Sequence, residues 1–139
     1  MSGQSVRDAM VPEPTTLAAD ASAQDAGRCF ADGPEVRAIF VSADDGRLVG
    51  VITRKTLVRE VVASGLDPTQ VRLRDIAEPP RFTLDASLPL EEAFRTVEEL
   101  DLERVPVVEG ERLVGVLSRA VVQRRLAEDE IPAEDEIPA

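Results

Sequence analysis

The sequence predicts an α+β fold assembled from one folding unit written twice, on three observations: chain length, an internal duplication, and the same order of helix and strand signals in each copy. The 139 residues leave room for one compact domain or two small packed halves, and too little for a large barrel enzyme. Arg47-Leu48-Val49-Gly50-Val51-Ile52-Thr53-Arg54 returns as Arg112-Leu113-Val114-Gly115-Val116-Leu117-Ser118-Arg119, with six of eight positions identical at an offset of 65. Upstream, Val6-Arg7-Asp8-Ala9-Met10 is matched by Leu73-Arg74-Asp75-Ile76-Ala77 at an offset of 67. Two motifs in one order and at nearly one spacing mark duplication of a whole unit. The repeats are expected over residues 1–66 and 67–126, followed by a tail over 127–139.

Each lead-in runs into a proline-rich turn, Val11-Pro12-Glu13-Pro14 or Glu78-Pro79-Pro80, where fixed φ and missing donors stop a helix. A helix follows in each copy. Its apolar stripe is Ala23, Ala26, Cys29 and Phe30 in the first, ended near Gly33-Pro34. In the second it is Leu90, Ala93, Phe94, Val97 and Leu100, with Asp85 and Ser87 as expected caps. Two strands come next. The short β-branched runs Ala38 to Val41 and Val105 to Val108 lead into the turns Asp44-Asp45-Gly46 and Glu109-Gly110-Glu111, which read as hairpins. The return strands, Leu48 to Ile52 and Leu113 to Leu117, are nearly all apolar and so are expected to be buried on both faces.

A second helix closes each copy, carrying Leu57, Val58, Val61 and Val62 in one and Val121, Val122 and Leu126 in the other. Thr53 and Ser118 stand where an N-cap hydroxyl is used. Residues 63–69 form the linker. Neither copy, at about 60 residues, buries enough apolar surface to be robust alone, so the two sheets are expected to pack with pseudo-two-fold symmetry and leave clefts between them.

The net charge is −11, and six acidic residues without a base fall in 127–139, leaving −5 for the remainder. A body of that sign repels a phosphate backbone, so general nucleic-acid binding is not expected. The biased tail is expected to be a disordered, solvated extension. No apolar run approaches the roughly 20 residues that span a bilayer, Cys29 has no partner for an internal disulfide, and the first residues lack a basic region followed by an apolar one. A cytoplasmic protein is the expectation. With no histidine and one cysteine, no metal site, no cofactor and no catalytic nucleophile–base pair is expected. Cys29 lies on an apolar helix stripe and reads as core.

The order of these motifs, with Arg104-Val105-Pro106-Val107-Val108 before the acidic turn and Arg112-Leu113-Val114-Gly115-Val116-Leu117-Ser118 after it, resembles the cystathionine-β-synthase-type (CBS) domain. The tandem resembles a Bateman module over residues 6 to 126 or so. The resemblance implies two β-α-β-β-α units, two related clefts, frequent homodimers, and a non-catalytic regulatory role. It implies AMP, ADP, ATP or S-adenosylmethionine as ligand.

In this chain the implied contacts of one cleft are Met10, Pro14, Thr15, Val36, Arg37 and Ala38 with Val116, Ser118 and Arg119. Those of the other are Ala77, Leu102, Glu103 and Arg104 with Val51, Thr53 and Arg54. Hydroxyls at a helix N-terminus lie beside unpaired backbone N–H groups, which suits phosphate or ribose at Thr53 and Ser118. Neighbouring Arg54, Lys55 and Arg119 would add charge-assisted donors. Ligand-binding members usually carry Asp three residues after that hydroxyl; Thr56 and Val121 stand there instead. A ligand-free structural or dimerisation module is therefore the competing expectation.

Overall fold

The structure, a computed structural model, describes residues 4–12 and 14–135, and side chains as far as residue 127. Helix α1 (Val6–Ala9) and strands β1 (Val11–Pro12) and β2 (Thr16–Ala18) precede α2 (Ala23–Asp32), β3 (Ile39–Ser42) and β4 (Leu48–Ile52). Helix α3 (Arg54–Leu57) continues into a π-helical turn (Val58–Val62). The second half repeats the order with α4 (Leu73–Ile76), β5 (Leu84–Asp85), α5 (Leu90–Glu99), β6 (Arg104–Glu109), β7 (Arg112–Ser118) and α6 (Arg119–Asp135).

The chain divides into two compact units whose membership crosses the sequence repeats. A first-copy unit holds Glu13–Arg81 with Glu111–Leu113; a second-copy unit holds Met1–Pro12, Phe82–Gly110 and Val114–Ala139. Each body is thus completed by the lead-in of the other copy. In the second-copy unit the Val6 and Arg7 amides donate to the Leu88 and Ala86 carbonyls at 2.9 and 3.0 Å. In the first-copy unit Leu73 and Arg74, their equivalents, donate to Ala21 and Ala19 at 2.9 and 3.0 Å. The same two bonds occur twice, at an offset of 67 throughout.

In the first-copy unit the sheet order is β2-β3-β4. Strand β2 runs parallel to β3, Leu17 opposite Val41, and β3 antiparallel to β4, Phe40 opposite Val51. Its core is Ala26, Phe30, Ile39, Val41, Ile52 and Leu73, with half-buried Cys29 packed against it. In the second-copy unit the order is β1-β7-β6-β5, with β5 parallel to β6 and β1 antiparallel to β7. Its core includes Val6, Leu90, Val97, Val105, Val107 and Leu117. Gly46 and Gly110, at φ 87° and 64°, turn the two hairpins where an L side chain would be strained.

Three local expectations change. Asp85 and Ser87 do not cap α5, whose N-cap position is Pro89; the Asp85 carboxylate accepts from the Ser87 amide and hydroxyl, closing a turn ahead of the helix. Val58 and Val62 are not core but 56% and 71% exposed. Because the π-helical turn takes more residues per turn than an α-helix, it rotates these valines off the buried stripe that Val61 keeps. Helix α6 continues past Leu126 to Asp135, while residues 136–139 of the tail lie outside the described residues.

Three aspartates accept local hydrogen bonds, and these lower the pKa of each. Bonds from the Ser22 backbone and hydroxyl lower the pKa of Asp25 from the ordinary 3.8; the Thr69 hydroxyl and amide lower Asp67, and the Ser87 hydroxyl and amide lower Asp85. Groups whose folded pKa is depressed stabilise fully above their unfolded value, and that stability is lost as pH falls through the folded value. Thermal midpoints should therefore be flat above 3.8 from this source and fall below it. Asp25→Asn should flatten part of that acid limb in melts followed by circular dichroism.

Candidate functional site

The repeated strand-to-helix junction is the centre of the candidate site. Thr53 leaves β4 in an extended conformation, φ −121° and ψ 171°, and becomes the N-cap of α3. Its hydroxyl accepts from the Thr56 amide at 3.2 Å, while the Thr56 hydroxyl accepts from the Thr53 amide at 3.2 Å. The two hydroxyls are 3.0 Å apart. This reciprocal box satisfies two of the donors that a helix start leaves open. Thr56 is 1% exposed, so its hydroxyl serves the helix start. Thr53→Ala should lower stability by about 1 kcal/mol and Thr53→Ser by a few tenths at most, measured by urea denaturation.

Arg54, the next residue, is held inside its own unit. Its guanidinium donates to the Val36 carbonyl at 2.6 Å, to Phe30 at 3.1 Å, and to Gly33 and Pro34 at 3.3 Å each. It also lies 4.7 Å from the centroid of the Phe30 ring. These carbonyls form the C-terminal end of α2 and the loop beyond it, where a cation offsets the exposed carbonyl dipoles. The clamp fixes half-buried Val36; Ala38 is half-buried and Arg37 exposed. Thr15 is exposed too, and its carbonyl accepts from the Phe40 amide at 3.0 Å.

Val51 and Ala77 meet through the second-copy lead-in. The Val51 amide donates to the Glu78 carbonyl at 2.8 Å, and the Glu78 amide returns to the Val51 carbonyl at 3.0 Å. Arg59 of the π-helical turn ion-pairs with Glu60 and Glu78. The hydrogen bonds that Arg59 donates to Glu60 and then to Glu78 raise its pKa above the ordinary range.

The second-copy unit answers position by position, with different chemistry. Ser118 ends β7 and leads into α6; buried Val116 is opposite Val11, next to Met10. Arg119, equivalent to Arg54, donates to Asp101 at 3.2 Å and lies 3.6 Å from a Glu103 oxygen. Its own amide donates to the Glu103 carbonyl at 2.9 Å. One arginine thus holds backbone carbonyls and its twin holds carboxylates. Leu102 is buried, while Arg104 is exposed and without an ion pair among the described residues.

The sequence reading missed Asp101, at φ 55°, and Glu78. The signal for Asp101 was an aspartate just after a helix end, a residue type that tolerates the left-handed region. Within the first-copy unit the structure gathers Val51, Thr53, Arg54, Thr56 and Ala77, and also Thr15, Val36, Arg37 and Ala38. Within the second-copy unit it gathers Met10, Val116, Ser118 and Arg119, and Leu102 with Arg104. Among the described residues no helix is long and apolar enough to cross a membrane.

Comparison with known proteins meets this geometry twice along the chain. The family model of the CBS domain matches residues 6–63 and again 73–128. Hypoxic response protein 1 of Mycobacterium tuberculosis is 33% identical over 97 residues, covering 70% of this chain and 68% of that protein. The crystal structure of Hypoxic Response Protein I with two coordinated zinc ions matches at TM-score 0.74 and 28% identity, over 88% of this chain and 98% of that one. The crystal structure of CBSX2 in complex with AMP matches at TM-score 0.73 and 25% identity, over 92% of this chain and 99% of that one. The zinc is that protein's; the present chain contains no histidine and a single cysteine.

Proposed function

The chain belongs to the CBS-domain family, with two copies of the domain, and on that premise we propose that it is a non-catalytic regulatory module, homodimeric and cytoplasmic, that senses an adenosine-containing ligand. The observation that carries this reading is the strand-to-helix junction built twice, with a hydroxyl residue at each: Gly50-Val51-Ile52-Thr53 and Gly115-Val116-Leu117-Ser118. CBS-pair modules are generally regulatory, and CBSX2 has been crystallised with AMP. The proposed ligand contacts are Val51, Thr53, Ala77, Leu102 and Arg104, and, in the related set, Met10, Thr15, Val36, Arg37, Ala38, Val116, Ser118 and Arg119. Arg54 and Thr56 support the first set by holding the helix start and the Val36 loop.

Exposed Arg104 is the cation of the first set that is free for a phosphate. Ligand binding would act on a partner only through its differential affinity for two states of the module. Calorimetric titration with AMP, ADP, ATP and S-adenosylmethionine tests the reading: one of them should bind, and Arg104→Ala should weaken a nucleotide about tenfold, the loss of one charge-assisted bond. Arg104 lies outside the helix start, so its substitution reads ligand effects apart from helix effects. No heat and no thermal shift at millimolar ligand would sink it.

A second reading, a ligand-free structural or dimerisation module, draws on the internal engagement of Arg54 and Arg119 and on the absence of carboxylates at positions 56 and 121. It expects a dimer whose stability no nucleotide alters.

A further inference from the structure

The arginine after each junction hydroxyl ties together residues that belong to different proposed ligand sets. In the first-copy unit Arg54 follows Thr53, a contact of the first set. Its guanidinium reaches back 18 to 24 residues, to the carbonyls of Phe30, Gly33, Pro34 and Val36. That loop delivers Val36, Arg37 and Ala38, contacts of the related set. It carries no helix or strand between α2 and β3, and adds two backbone bonds of its own. The Gly33 amide donates to the Cys29 carbonyl at 3.0 Å and the Val36 amide to the Gly33 carbonyl at 2.9 Å. The planar fork of one arginine therefore supplies most of what holds the loop to the start of α3.

The second-copy unit repeats the link with weaker chemistry. Arg119 follows Ser118 of the related set and donates to Asp101 at 3.2 Å, while its amide donates to the Glu103 carbonyl at 2.9 Å. Asp101 and Glu103 flank Leu102 and precede Arg104, both of the first set. Their side chains are 86% and 78% exposed, so salt screens this link. The carbonyls held by Arg54 carry no net charge, and that link is the firmer of the two. Either way, a ligand that fixes one end of a link also fixes a contact of the other set. We propose that Arg54 is a positioning residue that couples the two ligand sets, so that binding at one prepares the other. The coupling rests on the adenosine-ligand reading above.

Hydrogen exchange of the free full chain and calorimetric titration with AMP test it. In Arg54→Met exchange should rise at both ends of the link, over 33–38 and over 53–57. The native chain should take two AMP per chain, the second bound about fivefold or more tighter than the first. Arg54→Met should bring the two affinities together, and Arg54→Lys, which keeps the charge and part of the donor set, should restore part of the difference. Unchanged exchange over 33–38 in Arg54→Met overturns the link itself. A single AMP per chain, two that bind independently, or a difference that survives Arg54→Met overturns the coupling while the ligand reading stands. A native chain that gives no heat with AMP removes the ligand reading for this nucleotide and the coupling with it.

Discussion

Gly50→Val is expected to cost about 3 kcal/mol or more, enough to leave the first-copy unit unfolded at temperatures where the native chain holds. The repeated motif places glycine at 50 and 115, and neither has the positive φ that usually explains one. The cause is close approach. A Cβ at Gly50 would stand 2.8 Å from the Ala77 Cβ and 2.8 Å from the Glu78 carbonyl oxygen; one at Gly115 would stand 2.6 Å from Met10 Sδ and 2.8 Å from the Val11 carbonyl oxygen. In each case the lead-in from the other copy lies directly over the return strand, and at Gly50 its backbone exchanges two hydrogen bonds with the next residue, Val51. Even alanine must push that backbone away. Its smaller unfolded-chain entropy returns only about 0.4–1 kcal/mol, less than the about 1–3 kcal/mol of overpacking, so Gly50→Ala should still destabilise. At Gly115 the flexible Met10 end can yield but the Val11 carbonyl oxygen cannot, so alanine there should also destabilise, by less than at Gly50, where neither contact gives. Gly27→Ala, in a helix with open space, should instead stabilise by about 0.5–1 kcal/mol. Chemical denaturation of the three alanine variants checks the order; a Gly50→Ala chain as stable as the native one would refute the close-approach account.

Much of this was legible before any coordinates. The hairpins were set by Asp44-Asp45-Gly46 and Glu109-Gly110-Glu111, β4 ran from Leu48 to Ile52 as its apolar run implied, and α2 and α5 followed their stripes. The Thr53 cap was readable because its determinants lie within four residues. What was not legible depends on long-range placement. Strands β2 and β5 are two or three residues long and carry no periodic pattern; they exist because β3 and β6 offer parallel edges. The role of Arg54 depends on carbonyls 18 to 24 residues away. In Asp101 and Glu103 the second copy acquired carboxylates for Arg119 where the first offers carbonyls to Arg54, a divergence that local sequence at Arg119 does not record. The π-helical turn was hidden for a related reason: Val58 and Val62 satisfy an α-helical stripe as letters, and only the wider turn exposes them.

The exchange of lead-ins makes the second large effect one that crosses the repeats. Leu73 belongs to the second copy by sequence, yet it is fully buried among Ala26, Phe30, Ile39, Val41 and Ile52 of the first. Its amide donates to the Ala21 carbonyl. Truncation there removes three heavy atoms from a closed core, and the neighbours that would have to collapse are strand residues Ile39, Val41 and Ile52, fixed by their ladders, and Ala26 and Phe30 of α2. Leu73→Ala should therefore cost about 2–5 kcal/mol, and the location of the loss matters more than its size. Hydrogen exchange followed by mass spectrometry should show protection falling in α2, β3 and β4, from 23 to 52, rather than in α5, β6 and β7, from 90 to 118. Val6→Ala should do the reverse, since Val6 is buried with Leu90, Val97 and Leu117. If the Leu73 variant instead loosened 90–118 alone, each sequence repeat would be its own folding unit and the crossed assembly would be wrong. The crossed pattern carries a physical consequence: neither copy can complete a core without the other's first turn of helix, so the duplication is held in the fold by mutual dependence and the lead-ins cannot be shed one at a time.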